Sequence, residues 1–188
     1  MIFGGFAMQF TMTFPSPLGN LLLAADSRGL TGLWFEGSAH FAQGLDSNHA
    51  KQTTELLLQA QQWLELYFSG MAPAFLPPLH PVGTDFQKTV WSLLLEIPYG
   101  QTTTYGALAK AAAERMGRPR MSAQAVGGAV GRNPISILVP CHRVIGADGR
   151  LTGYAGGLDR KRFLLRLEGA DPGSFAPQLF DRIPGKKD

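Results

Sequence analysis

The segment VPCHRVIGADGRLTGYAGG, residues 139–157, contains the only cysteine of this 188-residue chain, Cys141. His142 and Arg143 follow it directly. A thiolate is a strong nucleophile, and cationic neighbours stabilise the thiolate form of a cysteine. The pattern therefore indicates nucleophilic chemistry at Cys141, whereas the competing interpretation of a lone cysteine is a small buried apolar side chain.

The residues before Cys141, ISILV at 135–139, are typical of a short buried strand, which Pro140 would end. Cys141 would then lie at a strand end, where side chains enter clefts. Neighbouring side chains on an extended chain point to opposite faces. We therefore expect a water molecule, rather than a direct hydrogen bond, to connect Cys141 with His142.

Glu168 is the third residue that stands out. It occupies the last turn of a predicted helix, where the helix dipole disfavours a negative charge. It also follows Leu164 by four residues, which places it on the side that should face the core. Two local rules broken at one residue indicate a functional role. The alternative is a surface carboxylate paired with Lys161 or Arg166.

The composition narrows the class of protein. Hydrophobic residues make up 45% of the chain and charged residues 16%, which predicts a folded core. No apolar run approaches the roughly 18 residues of a membrane span, and the opening MIFGGFAMQF lacks the features of a signal peptide. A single cysteine excludes internal disulfides and multi-cysteine zinc sites. We expect a cytoplasmic protein with no membrane association, no metal and no cofactor.

Charge is unevenly distributed along the chain. Residues 1–83 carry two Lys/Arg against five Asp/Glu, a net charge of −3. Residues 84–170 carry twelve against six, a net charge of +6, and residues 171–188 carry three of each. A basic half joined to an acidic half indicates that the basic half binds a polyanion. The competing interpretation is that the arginines only keep the surface soluble.

The elements that must position these residues begin with a small antiparallel sheet. Three runs separated by turn residues are typical of strands, at 8–14, 20–26 and 30–37. A helical stripe at 56–68 follows, with Thr53 or Thr54 as its N-cap. The proline-rich MAPAFLPPLHPVG then indicates a linker, so we place a first domain at 1–83.

The following part, which we place at 84–170, predicts mainly helices. They are a helix capped by Asp85 that reaches Ile97, one at 104–116, one at 123–131 capped by Ser122, and a last one from the cap Asp159 to Glu168. Two short helices joined by a turn in a basic segment are typical of a DNA-binding helix-turn-helix, although small helical bundles share the pattern. We expect a loosely held tail at 171–188.

Gly127 and Gly128 are unusual because they lie inside the predicted helix AQAVGGAVG. Each costs roughly 0.8–1 kcal/mol relative to alanine. Such a helix makes sense where another molecule, here DNA, must approach its backbone; close packing against a neighbouring helix is the alternative. In the loop further on, Tyr154 offers an aromatic face on which a base could stack.

Together these residues resemble the O6-alkylguanine-DNA alkyltransferases, also called methylated-DNA–protein-cysteine methyltransferases. The resemblance runs through IPYGQTTTYGALA, AVGGAVGRNPISILVPCHRVIG, TGYAGG and LLRLEG, and covers residues 84–170. The N-terminal part is similar only in layout. The resemblance implies an α+β fold, with a small N-terminal antiparallel sheet plus helix domain. A mostly helical, winged-helix-like DNA-binding domain that carries the active-site cysteine would follow.

The resemblance also implies a catalytic role for five residues. Cys141 would accept the alkyl group, His142 would act through a water as general base, and Glu168 would orient His142. Asn133 would tie together the turn between the recognition helix and the active site. Tyr105 would rotate the target phosphate and protonate the departing guanine.

The implied partner is double-stranded DNA that contains O6-alkylguanine, with O4-alkylthymine as a further lesion. The helix at 122–132 would enter the minor groove, and the damaged base would be flipped out to reach Cys141. The implied DNA-binding residues are Thr104, Gln124, Ala125, Gly127, Gly128, Arg132 and Arg143. The implied walls of the base pocket are Val144, Tyr154, Ala155, Gly156 and Gly157. The thioether formed resists hydrolysis, so each molecule, acting as a monomer, would react once.

The chain departs from the usual pattern of this family. The family usually has an arginine that fills the gap left by the flipped base. The matching residue in this chain is Gln124. Some members have serine where this chain has Ala155. Some relatives bind zinc through cysteines of the N-terminal domain, and this chain has no cysteine there. We therefore expect no zinc.

Three other functions fit part of the pattern. A thiol hydrolase or acyltransferase could use Cys141, His142 and Glu168, and multiple turnovers on an ester would identify it. A non-catalytic lesion sensor of the same family would lack the cysteine. A transcription factor with an incidental thiol would bind a specific operator sequence.

Overall fold

The computed structural model describes residues 8–170. The expected tail at 171–188 and the first seven residues of the chain lie outside the described part. The chain divides into two compact units. The first comprises the residues up to Val82 together with Pro134–Ser136, and the second comprises Gly83–Asn133 and the residues from Ile137 onward.

The first unit is built around a four-stranded sheet with the order β3-β2-β1-β4. Its strands are β1 Phe10–Ser16, β2 Gly19–Ala25, β3 Leu30–Phe35 and β4 Ala50–Lys51. The first three pair antiparallel, as predicted, and β4 pairs parallel to β1. With only two residues, β4 is too short to show an alternating pattern, so the sequence did not predict it.

Helix α1, Glu55–Phe68, packs against this sheet. Thr54, one of the two predicted caps, accepts a hydrogen bond from Leu57 N at 3.4 Å. The buried face of α1 consists of Leu57, Ala60, Trp63, Leu64 and Tyr67. Full burial of a large apolar side chain contributes roughly 1.5–3 kcal/mol, so this face holds the helix on the sheet.

The proline-rich linker is also held to the first unit. Leu30 N donates to the Pro78 carbonyl at 2.8 Å, and His80 N donates to the Leu30 carbonyl at 2.7 Å. His80 Nδ1 lies 2.7 Å from Asp26 Oδ2. These contacts fix residues 78–80 alongside β3.

The described residues of the second unit form four helices, as predicted. They are α2 Asp85–Leu95, α3 Tyr105–Arg115, α4 Ala123–Gly131 and α5 Leu158–Leu167. Ser122 caps α4, as expected, because its hydroxyl accepts from Ala125 N at 3.1 Å. None of the helices within residues 8–170 is long and apolar enough to cross a membrane.

Two predicted N-caps are wrong. Thr84, rather than Asp85, caps α2, because Thr84 and Gln87 form a reciprocal capping box. Helix α5 starts after Gly157, which has φ +90° and provides no side-chain cap. Asp159 lies inside the helix, where its carboxylate pairs with Arg162 at 3.1 Å.

The predicted strand at 135–139 is also wrong. The segment is buried, but only Ile135 forms a bridge, with Leu33; residues 136–138 form turns, and Ile137 has φ +69°, which lies outside the extended conformation of a strand. A short parallel pair, β5 Thr103–Thr104 with β6 Val144–Ile145, lies just beyond the cysteine instead. The apolar composition of the segment therefore reports its burial and not its backbone conformation.

Candidate active site

Cys141 opens a single 3₁₀ turn, Cys141–Arg143, instead of ending a strand. Pro140 precedes it with φ −82° and ψ 63°, and Cys141 N donates to the Val139 carbonyl at 2.8 Å. These are the features of an inverse γ-turn. Successive side chains in a 3₁₀ turn are about 120° apart. The expectation that Cys141 and His142 point to opposite faces, which assumed an extended chain, therefore does not apply.

Asn133 connects the end of α4 to the cysteine. Its Nδ2 donates to the Val139 carbonyl at 2.8 Å and to Cys141 Sγ at 3.2 Å. Both hydrogen bonds are buried. A donor on the sulfur favours thiolate over thiol, so Asn133 both shapes the turn and acts on the nucleophile.

Glu168 is buried at the centre of an ion-pair cluster, and its side chain has no exposed surface. Oε1 lies 2.7 Å from His142 Nε2 and accepts from Arg143 Nη2 at 3.0 Å. Oε2 accepts from Arg143 Nε at 2.8 Å and from Gly100 N at 3.1 Å. The alternative interpretation of Glu168 as a surface carboxylate is therefore wrong.

Burial and pairing together fix the charges of this cluster. Burial on its own would raise the pKa of Glu168, but His142 and Arg143 hold that pKa well below its usual value. Burial lowers the pKa of His142 by more than the Glu168 carboxylate raises it. At neutral pH the imidazole is therefore uncharged. With Nε2 bonded to Glu168, Nδ1 is the ring nitrogen that can accept a proton.

Two residues expected to bind DNA, Thr104 and Arg143, are buried, and their side chains already make hydrogen bonds within the protein. The Arg143 side chain is 9% exposed, and it donates to Glu168 and, at 2.5 Å, to the Ile97 carbonyl. It is engaged in neutralising the buried carboxylate. Thr104 is 7% exposed, and its hydroxyl caps α3 by accepting from Ala107 N at 3.1 Å.

The thiol of Cys141 is not activated at rest in the way that the sequence suggested. Burial raises its pKa, and the hydrogen bond from Asn133 and the charge of Lys161 offset only part of that increase. The guanidinium of Arg143 is paired with Glu168. At neutral pH the resting thiol is therefore protonated, and a base is needed to form the nucleophile.

Lys161, which the sequence offered only as a possible surface partner of Glu168, belongs to the site. Its Nζ donates to the carbonyls of Val144, Thr152 and Gly153, at 2.5, 2.8 and 3.3 Å. Burial lowers the pKa of Lys161 to about 8. Its position could have been inferred, because Lys161 precedes Glu168, the residue that follows α5, by seven residues, about two helical turns, and both are buried.

Gly100 is a second contributor that the sequence did not single out. Its N–H donates to Glu168, its φ is +74°, and a Cβ there would lie 2.8 Å from the Glu168 backbone oxygen. Only glycine fits both the conformation and the close approach. The sequence PYGQ marked a turn here, but not its contact with Glu168.

Tyr105, the first residue of α3, meets the glycine-rich loop. Its hydroxyl lies 3.3 Å from the Thr152 carbonyl and 3.4 Å from the Gly153 carbonyl. Burial raises the pKa of Tyr105, and the electrostatic effect of Cys141 raises it further, so the phenol is protonated. Lys161 and Tyr105 therefore hold the same two carbonyls of the loop.

The residues predicted to line the base pocket differ in how deeply they are buried. Val144 is fully buried in β6. Tyr154, Ala155 and Gly156 are half-buried, and Gly157 is exposed. Within residues 8–170, no group of three or more His, Cys, Asp or Glu side chains is arranged to hold a metal ion.

Helix α4 presents most of the other predicted DNA-binding residues to solvent. Four are exposed and Gly127 is half-buried, the exposed ones being Gln124, Ala125, Gly128 and Arg132. A Cβ on Gly128 would meet no atom of the described residues within 4 Å. A Cβ on Gly127 would make only ordinary contact with the Tyr105 ring at 3.6 Å. Packing therefore requires neither glycine, which argues against the tight-packing alternative.

Comparison with known proteins places the chain in a family. The family model described as 6-O-methylguanine DNA methyltransferase, DNA binding domain, matches residues 85–170. The model described as 6-O-methylguanine DNA methyltransferase, ribonuclease-like domain, matches residues 10–81. A methylated-DNA–protein-cysteine methyltransferase from Methanosarcina acetivorans is 50% identical over 157 residues, 84% of this chain and 96% of the relative. The chain belongs to this methyltransferase family.

Other relatives and solved structures agree with this assignment. A methylated-DNA–protein-cysteine methyltransferase from Haemophilus influenzae is 43% identical over 163 residues, 86% of this chain and 87% of the relative. The crystal structure of Mycobacterium tuberculosis OGT in complex with DNA matches with a TM-score of 0.72 at 43% identity, covering 86% of this chain and 95% of that one. These similarities confirm the predicted family and the α+β fold.

Proposed function

We propose that this protein repairs DNA by moving the alkyl group of O6-alkylguanine, and of O4-alkylthymine, onto the sulfur of Cys141. The observation that carries the proposal is the pair of buried contacts at the site. Asn133 is bonded to the Cys141 sulfur, and the adjacent His142 is bonded to the Glu168 carboxylate. A held thiol beside an oriented neutral base is an arrangement for nucleophilic displacement.

The reaction is a single displacement. The Cys141 thiol loses its proton, through a water, to Nδ1 of His142. The sulfur then attacks the alkyl carbon, a carbon–sulfur bond forms, and the bond between that carbon and the guanine oxygen breaks. Glu168 stabilises the imidazolium that results, and Arg143 keeps Glu168 ionised throughout.

The departing guanine needs a proton, and we assign its donation to Tyr105. Its raised pKa keeps the phenol protonated at neutral pH, and its position at the loop of Thr152 and Gly153 puts it beside the expected base pocket. Tyr154 and residues 155–157 would form the wall against which the flipped base rests. Lys161 holds this wall through the carbonyls that it shares with Tyr105.

Helix α4 is the proposed minor-groove element. Its exposed face combines Gln124, Ala125 and Arg132 with Gly128, whose missing side chain lets the backbone sit deep in a narrow groove. Gln124 would occupy the gap left by the flipped base. Unstacking a base costs a few kcal/mol, and the glutamine amide can offset part of this by hydrogen bonding to the orphaned partner base.

The working unit that we propose is a cytoplasmic monomer with an N-terminal domain at 1–83, a DNA-binding and catalytic domain at 84–170, and a tail at 171–188. The concentration of positive charge in residues 84–170, +6 by sequence, supports the assignment of DNA binding to that part. The single cysteine supports a reducing compartment.

The test is the stoichiometry of transfer. Duplex DNA with O6-methylguanine is supplied in excess over the protein, and repaired guanine is counted until the reaction stops. We expect one repaired base per protein molecule, because a thioether does not hydrolyse readily and the chain has no second cysteine. Sustained turnover would indicate a hydrolase, and no repair would remove the proposal.

A further inference from the structure

The loop that leads to the cysteine contains a residue in an unfavourable backbone conformation. Ile137 has φ +69° and is fully buried. A β-branched side chain rarely adopts the left-handed region, because its Cβ crowds the neighbouring carbonyl. The other described non-glycine residues with positive φ, His40 and Ala42, lie in the loop before β4 and are not buried. A strained conformation in a buried segment persists only where the surroundings impose it.

The chain on the N-terminal side of Ile137 is fixed by β3. Leu33 N donates to the Pro134 carbonyl at 2.8 Å, and Ser136 N donates to the Leu33 carbonyl at 2.9 Å. These two hydrogen bonds pair residues 134–136 with the strand in a parallel bridge at Ile135. The direction of the chain as it enters Ile137 is therefore set.

The chain on the C-terminal side of Ile137 is fixed by the active site. The Val139 carbonyl accepts from Asn133 Nδ2 at 2.8 Å and from Cys141 N at 2.8 Å. The chain must therefore pass from a paired segment into an inverse γ-turn within three residues. The left-handed conformation of Ile137 connects these two segments of the chain.

Glycine would adopt this conformation with less strain, so the backbone conformation alone does not account for an isoleucine here. Its side chain must contribute something that glycine would lack. That side chain has no exposed surface, and an isoleucine packed in a core has few rotamers. We propose that Ile137 is a positioning residue for alkyl transfer. Its buried side chain anchors the left-handed turn, which keeps the Val139 carbonyl and the Cys141 sulfur on the amide of Asn133.

This inference rests on the function proposed above and adds a residue that touches neither substrate nor sulfur. Besides Asn133, the groups that act on the thiol are the charged Lys161 and the backbone N–H groups of Cys141 and His142. Ile137 substitutions leave the Asn133 and Lys161 side chains unchanged, so a shift in the pH dependence of thiol reactivity reports a change in the position of the Cys141 turn relative to the Asn133 amide.

Three variants separate the side chain from the backbone. Ile137→Val keeps the β-branch and removes one methyl group, so it serves as the matched control. Ile137→Ala and Ile137→Gly both remove the anchor, but only glycine accepts φ +69° without strain. We expect Ile137→Gly to unfold at a higher urea concentration than Ile137→Ala, the reverse of the usual order of these two residues.

The decisive measurement is the rate of Cys141 alkylation by iodoacetamide as a function of pH, in the native protein and the three variants. Loss of one hydrogen bond to the sulfur should slow the reaction of Ile137→Ala and Ile137→Gly about fivefold at neutral pH, with the midpoint moved to higher pH. Ile137→Val should retain the native midpoint. A structural role alone would lower stability and leave the midpoint unchanged.

Two results would overturn the inference. One is a native pH midpoint in both truncated variants, and the other is greater stability of Ile137→Ala than of Ile137→Gly. Transfer from O6-methylguanine DNA to the native protein is measured in parallel. If the native protein does not accept the methyl group, the proposed function is wrong. If it does, but Ile137→Ala and Ile137→Gly react with iodoacetamide at the native pH midpoint, only the role of Ile137 is wrong.

Discussion

At the scale of single residues, the site combines a buried ion pair, Arg143 with Glu168, with a Cys141 thiol that is uncharged at rest. Arg143 neutralises Glu168 inside the protein, so the carboxylate stays ionised although it is buried. The thiol of Cys141 remains protonated because burial raises its pKa. The thiol is therefore protonated at rest, and in the mechanism that we propose His142 takes up its proton.

The first prediction concerns Glu168→Gln. This change leaves the Arg143 guanidinium buried without its carboxylate, and breaking such a pair costs about 3–5 kcal/mol. It also removes the group that orients His142, so we expect slower transfer and a higher apparent pKa of the thiol. Urea unfolding measures the stability, and a pH titration of thiol reactivity measures the relay.

Asp148→Asn is the matched control for this change. It breaks an exposed ion pair with Arg150, in which the two side chains are 58% and 83% exposed. Exposed pairs contribute about 0–1 kcal/mol, so stability and transfer should stay close to native. Equal effects of Glu168→Gln and Asp148→Asn would show that the buried cluster has no special role.

At the scale of elements, α4 is less stable than it could be. Gly128 lies within the helix, is exposed, and has no described atom within 4 Å of the position that a Cβ would occupy. A helix interior gains about 0.8–1 kcal/mol when glycine becomes alanine. A glycine that packing does not require is expected where another molecule must come close to the backbone.

We therefore predict that Gly128→Ala raises the free energy of unfolding but weakens binding to duplex DNA. The added methyl group would prevent the helix backbone from reaching the floor of the minor groove. Gln62→Ala, an exposed substitution on α1, is the control and should leave DNA binding unchanged. If Gly128→Ala bound DNA with the native affinity, the proposal that α4 enters the minor groove would be wrong.

Gln124 gives a third prediction, because the resemblance implies that it takes the position of the arginine that would fill the gap left by the flipped base. Gln124→Ala should slow repair of duplex DNA and barely change the reaction with free O6-alkylguanine base, which needs no flipping. Gln124→Arg should match or exceed the native rate on duplex, since a flat guanidinium can fill the gap and contact phosphates. Single-turnover rates on both substrates test this, and equal slowing on both would assign Gln124 to the pocket or the fold.

The elements also show what a sequence can and cannot predict. The helices and the three long strands follow from apolar periodicity, and Cys141, His142 and Glu168 stood out by type and spacing. The segment at 135–139 was mistaken for a strand, because apolar residues report burial but not a left-handed turn at Ile137. Arg143 is buried and Lys161 is hydrogen-bonded to the loop because of contacts between residues far apart in the sequence. Apolar periodicity does not predict such contacts.

At the scale of the whole molecule, the buried cluster makes stability depend on pH. The pKa of His142 is lower in the folded protein than in the unfolded chain, so the unfolded chain binds more protons below about pH 6.5. The pKa of Glu168 is also lowered, which adds a second loss of stability below about pH 4.3. Both shifts therefore weaken the fold as the pH falls.

We predict a free energy of unfolding that declines from pH 7.5 to pH 5, measured by urea unfolding at each pH. The decline should be smaller in His142→Gln, which cannot take up a proton in the unfolded chain. An equal decline in the variant and the native protein would mean that other groups cause it.

The central claim is that Cys141 is the acceptor of the alkyl group, and intact-mass analysis followed by peptide mapping tests it most directly. The native protein and Cys141→Ala are each incubated with duplex DNA containing O6-methylguanine. We predict that the native protein gains the mass of one methyl transfer, located on Cys141. Cys141→Ala should gain nothing and still bind the duplex. A methyl group on another residue, or a variant that loses folding and DNA binding together, would contradict the account.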